Sequence, residues 1–127
     1  MIRLLIVDDA PFIRELVQLN LRDQGISVVA EAEDGAEAVV VARTVRPDVI
    51  LMDLALPRMN GIEATEEILA ELPETKVIAF STADQESVVA RAIQAGCCDF
   101  LSKPFTSEEL VKVIHRAMAD RGSSKEA

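Results

Sequence analysis

The sequence predicts an α/β domain, a doubly wound five-stranded parallel sheet in the order 2-1-3-4-5 flanked by five helices. Two observations predict the class. Short runs rich in Val, Ile and Leu recur along the chain, as in strands buried on both faces. Segments with apolar residues at helical spacing lie between them, and a parallel connection must cross over through such a segment with right-handed sense. A third observation points to function. Leu4-Leu5-Ile6-Val7 ends on Asp8-Asp9, Val49-Ile50-Leu51-Met52 on Asp53, and Val77-Ile78-Ala79-Phe80 on Ser81, while the weaker Asp99-Phe100-Leu101-Ser102 ends on Lys103-Pro104. In a parallel sheet these endings emerge along one edge, where open α/β folds bind ligands.

The elements follow in order. The first strand is expected over Arg3 to Asp8 and leads into a helix opened by Pro11, whose missing N–H costs nothing there. Phe12, Ile13, Leu16, Val17 and Leu21 recur at helical spacing, and Gly25 closes the segment. A second strand, Ser27 to Ala32, precedes Asp34-Gly35 and a helix through Val39, Ala42 and Val45 that Pro47 stops. The third strand is Val49 to Asp53, followed by a loop from Leu54 to Asn60 containing Pro57 and a helix from Ile62 to Leu72 ended by Pro73. Val77 to Phe80 is the fourth strand, with a helix from about Gln85 to Ala95 closed by Gly96. Asp99 to Ser102 is the fifth. The last helix starts at Thr106, where Thr106 and Glu109 have the spacing of a capping box, and fades into a frayed Arg121-Gly122-Ser123-Ser124 tail. Of the two common strand orders, five strands with acids on the first suit 2-1-3-4-5, which sets Asp8 and Asp9 beside Asp53.

Composition narrows the function classes. At 127 residues and 13.8 kDa the chain is one domain, able to bury about two thirds of its unfolded surface. No stretch approaches the ~18 apolar residues that span a bilayer, and Asp8 and Asp9 interrupt the N-terminal apolar run too early for a secretory signal. A cytoplasmic protein is expected. The net charge of -9 and pI near 4.5 argue against direct nucleic-acid binding and favour protein partners. Cys97 and Cys98 are sequence neighbours, ~3.8 Å apart at Cα, too close for an ordinary disulfide. With only His115 elsewhere they do not suggest zinc. His115, on the last helix near Val111 and Met118, is expected to be a solvated flank.

Charge sets the chemistry of the predicted cleft. Three carboxylates that close repel unless a cation holds them or some protonate. A hard divalent ion resolves this, with Mg²⁺ the expected cofactor and Mn²⁺ an alternative. Lys103 adds a point charge that can follow a phosphoryl group, and Ser81 a neutral donor for one of its oxygens. Asp53 is the candidate nucleophile toward phosphorus, with the metal polarising the phosphoryl oxygens in an in-line transfer.

These residues, in this order, resemble the receiver domain of two-component response regulators, with chemotaxis and sporulation-type single-domain receivers the nearest shape. The match rests on Asp8-Asp9, Met52-Asp53, Pro57, Gly61, Ser81, Phe100 and Lys103-Pro104, and covers nearly the whole chain. The resemblance implies a flavodoxin-like (βα)5 domain over residues 1–120 with a flexible tail over 121–127. It implies that Asp53 accepts a phosphoryl group from a sensor histidine kinase or phosphotransfer protein. Asp9, Asp53 and the backbone carbonyl of Ala55 would then bind Mg²⁺, with Asp8 acting through water. A cis Lys103–Pro104 bond, a Ser81–Phe100 switch, and output to an effector protein through the fourth helix, fifth strand and last helix are also implied, as is phosphorylation-dependent dimerisation. Such a domain is not an enzyme beyond its own phosphorylation and dephosphorylation.

Departures from the family pattern bear on rate. Thr82 is β-branched where receivers mostly carry a smaller residue, and Ala55 and Ala83 lack polar side chains to orient a water, so slow self-dephosphorylation is expected. Two other readings stay open. One is the receiver half of a longer DNA-binding regulator. The other is a phosphatase of the haloacid dehalogenase type, although Asp53-Leu54-Ala55 lacks the second acid of that class's DxD pattern. No GxGxxG follows the first strand to suggest dinucleotide binding.

Overall fold

The computed structural model describes residues 1–56, 58–82 and 86–124, with the backbone alone over 120–124. In chain order the elements are β1 (Ile2–Val7), α1 (Pro11–Asn20), β2 (Ile26–Ala32), α2 (Gly35–Val45), β3 (Val49–Asp53), α3 (Gly61–Glu71), β4 (Lys76–Ser81), α4 (Glu86–Ala95), β5 (Asp99–Ser102) and α5 (Ser107–Ser124). All five strands are parallel and form one sheet in the order β2-β1-β3-β4-β5, as the sequence predicts. Among the described residues, no helix is long and apolar enough to cross a membrane.

Alternation along the strands divides the core into two layers. Leu5, Val7, Ile50, Met52, Val77 and Ala79 pack against Ala38, Val39 and Ala42 of α2, Ala64 and Ile68 of α3, and Ala92 of α4. Leu4, Ile6, Val49, Leu51, Ile78 and Phe80 face the other way, onto Val17 of α1 and Leu110, Val113 and Ile114 of α5. The central strands β1, β3 and β4 therefore bury both faces, which is why they read as unbroken apolar runs. Each such Leu or Ile contributes about 1.5–3 kcal/mol on burial.

Local chemistry sets the helix boundaries. The Asp34 carboxylate accepts the Glu37 N–H at 2.8 Å to cap α2, and the Asn60 side chain accepts the Glu63 N–H at 2.9 Å to cap α3. The expected capping box is present: Thr106 Oγ1 accepts the Glu109 N–H at 3.1 Å while Glu109 Oε1 accepts the Thr106 N–H at 2.9 Å. Arg46 ends α2 in the left-handed region, at φ 49, just before Pro47.

Several expectations shift. The helix after Pro11 ends at Asn20 rather than running on toward Gly25. The Leu21 N–H bonds the Gln18 carbonyl at 3.2 Å, one residue short of the α-helical acceptor, and Asp23 and Gly25 both turn at positive φ. Leu21 is buried all the same, whereas Phe12 is 71% exposed, off the Ile13–Val17–Leu21 row that faces the sheet. At the other end α5 extends through Ser124, so residues 121–124, expected in a tail beyond residue 120, are helical. Pro57, Ala83, Gln85 and residues 125–127 lie outside the described residues. Cys97 is buried 4.0 Å from Thr65 Oγ1, and burial pushes its thiol up to about 11, so neither chemistry nor a disulfide is built there. His115 is exposed, its Nε2 3.3 Å from the Gln24 carbonyl oxygen.

Gly35, at the start of α2, meets the loop that follows β3. A Cβ built there would lie 1.9 Å from the Met59 carbonyl oxygen. Gly35→Ala is expected to destabilise the fold by about 1–3 kcal/mol through overpacking, read as a lower urea midpoint. An unchanged midpoint would mean that the loop gives way freely.

Candidate functional site at the carboxyl edge of the sheet

The parallel arrangement brings the carboxyl ends of β1, β3, β4 and β5 to one edge. Asp8 and Asp9 follow β1, Asp53 ends β3, Ser81 ends β4, and Lys103 follows β5. β1 and β3 are hydrogen-bonded neighbours, with Val7 opposite Met52. This adjacency places one carboxylate oxygen from each of Asp8, Asp9 and Asp53 within 4.8 Å of the others. Asp8 and Asp53 are buried and Asp9 is exposed, so the cluster has two fixed acids and one at its mouth.

The buried acids are tied down on one oxygen each. Asp8 Oδ1 accepts the Ala10 N–H at 2.9 Å, and Asp53 Oδ1 accepts the Ala55 N–H at 3.0 Å. Their other oxygens face Lys103, whose Nζ lies 2.6 Å from Asp8 Oδ2 and 3.4 Å from Asp53 Oδ2. The Lys103–Pro104 bond is cis, as expected. The ammonium also lies over the Phe80 ring, 4.6 Å from its centroid. The Ser81 carbonyl accepts the Lys103 N–H at 3.0 Å, which ties the ends of β4 and β5 together. Burial holds the Asp53 carboxyl above its usual range, against the Ala55 N–H and Lys103, which pull it down; the Asp8 charge adds to the rise.

The loop after Asp53 is pinned at both ends. Gly61 approaches Asp53 so closely that a Cβ there would lie 2.2 Å from the Asp53 carbonyl oxygen. Arg58, at φ 63, donates to Asp34 Oδ2 at 2.5 Å. Asp34 is buried, and its carboxyl is lowered chiefly by the Glu37 N–H, against burial, which raises it, with Arg58 adding to the lowering. Ala55 is exposed at the mouth of the cleft, as is Thr82 just after Ser81.

The chain reading of the sequence named Asp8, Asp9, Asp53, Ala55, Ser81, Phe100 and Lys103, and all but Phe100 meet at this edge. Phe100 is half-buried one strand further out, opposite Ala79 of β4, where it lines a cavity of about 230 Å³ with Val89, Ala92 and Ile93 of α4. Four residues escaped that reading. Phe80 looks like ordinary core, although strand alternation puts it on the same layer as Asp53, its register partner. The Asp34–Arg58 pair spans 24 residues and carries no local sequence signal. Arg14 donates from Nη1 to the Asp8 carbonyl at 2.6 Å and from Nε to Glu31 at 2.9 Å, contacts that depend on where α1 packs.

Comparison with known proteins bears on this arrangement. The model of the response regulator receiver domain family matches residues 4–115. The chain is 41% identical over 117 residues to the chemotaxis protein CheY of Listeria monocytogenes, covering 92% of this chain and 98% of that protein. It is also 41% identical over 116 residues to the CheY of Bacillus subtilis, covering 91% and 97%. The response regulator domain of Thermotoga maritima CheB superposes with a TM-score of 0.87 at 37% identity, over 94% of this chain and 97% of that one. The receiver domain of the putative regulator NarL from Mycobacterium tuberculosis gives 0.86 at 34% identity, over 91% and 94%. These matches do not favour the phosphatase reading. In sequence, sheet order and superposition over nearly its whole length, the chain belongs to the response regulator receiver domain family, the CheY-like domains of two-component signalling.

Proposed function

We propose that Asp53 is the phosphoryl acceptor of a signalling switch. The observation that carries this reading is the sharing of one ammonium: Lys103 reaches both Asp8 and Asp53 inside a cluster of three carboxylates. In the transfer, an Asp53 oxygen forms a bond to phosphorus as the bond from phosphorus to the donor's leaving atom breaks. The Ala55 N–H fixes the rotation of the Asp53 carboxylate, so that its second oxygen stays toward Lys103. Lys103 then meets the charge carried by the incoming group, which brings close to two negative charges at neutral pH.

The donor set fits a hard divalent cation, because three carboxylates of two neighbouring strands present only oxygen at mutually close range. Asp8, Asp9 and Asp53 would hold Mg²⁺ or Mn²⁺, with the Ala55 carbonyl as a further ligand by family resemblance. When bound, that ion supplies polarisation of the phosphoryl oxygens and charge neutralisation. Ala55 offers no polar side chain to orient an attacking water, which favours a long-lived phosphoryl group; the same expectation at Ala83 lies outside the described residues.

The donor is a sensor histidine kinase or phosphotransfer protein, and the receiver of the signal is an effector protein or a second copy of the chain. The acidic balance favours protein partners over nucleic acid, and the setting for such a relay is the cytoplasm. Output runs through Ser81 and Phe100 to the face made by α4, β5 and α5. Alternation on β4 puts Ser81 on the layer of Ala79, the register partner of Phe100, so a hydroxyl drawn toward phosphate vacates space beside that ring.

Incubation with a small acyl phosphate and Mg²⁺ should add one phosphoryl group to the wild-type chain and none to Asp53→Asn, read by intact mass. Asp9→Ala should lose both Mg²⁺ binding and labelling while remaining folded, since removing a like charge relieves repulsion. Undiminished labelling of Asp53→Asn at Asp8, Asp9 or Ser81 would overturn the assignment.

Stability should show the raised Asp53 carboxyl. A carboxyl whose folded pKa lies above its unfolded value of 3.8 contributes stability that is full below that value and is lost as pH rises through the folded pKa. With chelator present, the wild-type urea midpoint should therefore fall relative to Asp53→Asn as pH climbs from about 4 toward neutrality. Parallel profiles for the two proteins would contradict burial as the dominant influence.

Beryllofluoride, a phosphoryl mimic, should perturb amide resonances of α4, β5 and α5 in the wild-type chain. In Ser81→Ala the cleft should still respond while Phe100 and the distant face fall silent. Equal responses in both proteins would remove Ser81 from the relay.

A further inference from the structure

The Lys103 ammonium has a third neighbour that the charge balance of the cleft does not require. Phe80 presents its ring at 4.6 Å from Nζ and is itself fully buried. It is the register partner of Asp53 across β3 and β4, and it belongs to the layer under α1 and α5. Phe105, two residues past Lys103, lies against the same ring with centroids 5.6 Å apart at 59°. The ring is thus gripped between the core and the segment that carries the lysine.

A lysine side chain is a flexible four-carbon stem with about 2 kcal/mol of rotamer entropy to lose. The carboxylates restrain its head through directional hydrogen bonds, and one of them, Asp53, is the group that changes during transfer. An aromatic face attracts the charge without occupying any N–H. An ammonium seated on the ring can pass its N–H groups from a carboxylate to a phosphoryl oxygen and keep its place. The lysine side chain is only 16% exposed, so water competes weakly with the ring.

We propose that Phe80 is a positioning residue for phosphoryl transfer, its buried ring face seating Lys103 over the acceptor. The inference rests on the reading of Asp53 as acceptor. An aliphatic side chain of similar size would fill the same core space and would not hold the charge.

The test replaces Phe80, in the full chain, with a trifluorinated phenylalanine that keeps the ring's shape and cancels the negative charge of its face; Phe80→Leu serves as a second variant. Two quantities are read: the NMR order parameter of the Lys103 ε-methylene, and the rate of Asp53 loading by acetyl phosphate at saturating Mg²⁺. The fluorinated chain should keep the wild-type amide spectrum outside the cleft while the order parameter falls. Its maximal loading rate should drop about tenfold, equivalent to about 1.4 kcal/mol, within the range of a desolvated cation–π contact. The acetyl phosphate concentration for half-maximal rate should not change, and Phe80→Leu should lose at least as much rate. Wild-type loading by the fluorinated chain, or an unchanged order parameter, would show the ring to be core packing only. If the wild-type chain itself is not loaded at Asp53, the acceptor reading fails, and the order parameter alone then decides whether Phe80 seats Lys103.

Discussion

Like charges crowded at the end of a parallel sheet are the constraint on which the rest of this structure depends. Asp8 and Asp53 sit on adjacent strands with little water around them, and their repulsion is offset by one ammonium delivered from β5, two strands beyond β3. The strand order makes this compensation feasible. β1 and β3 must be neighbours for the acids to meet, and β4 and β5 must follow on the same side for Lys103 to arrive. The capped helix starts and the tie between Ser81 and Lys103 serve the same end, because a cleft whose charges balance only at close range tolerates little drift in its walls.

The two layers of the core divide the labour. Phe80 lies in the α1–α5 layer, with Asp53 as its register partner and the Lys103 ammonium over its ring, on the side of the proposed phosphoryl transfer. Ser81 and Phe100 share the α4 side with Ala79 and Ala92, where the proposed output lies. Ser81 is at once the end of β4, next to Phe80 in sequence, and a wall of the cleft. A strand that turns successive side chains to opposite faces thereby sets the proposed chemistry and the proposed output on two neighbouring residues.

Much of this was legible in the sequence, and the reasons are physical. Fully buried parallel strands leave unbroken apolar runs, so β3 was located to the residue, while the strand order rested on the family resemblance as much as on where the acids fell. Site residues stood out because a charge at the end of such a run needs a partner, and Asp8, Asp53 and Lys103 supply one another. What escaped was set by contacts between distant segments or by turns too local for periodicity. The early end of α1 is a local tightening, with the Leu21 N–H bonding the Gln18 carbonyl, and the strap from Arg58 to Asp34 exists only once α2 and the loop after β3 have docked. Phe80 was hidden by its own suitability as core, since burial alone does not reveal which face of a ring is in use.

Gly35 and Gly61 hold the path of the chain over Asp53 by hydrogen atoms rather than side chains. A contact between side chains can be renegotiated by degrees, a methyl lost here and regained opposite. A carbonyl oxygen resting against a bare Cα has no such currency, for there is nothing smaller to exchange and every larger choice displaces main chain. Variation around the proposed acceptor is thereby channelled into residues such as Ala55, which is exposed at the mouth of the cleft. The rate and specificity of such a domain can drift there, while the two points that suspend the loop stay where they are.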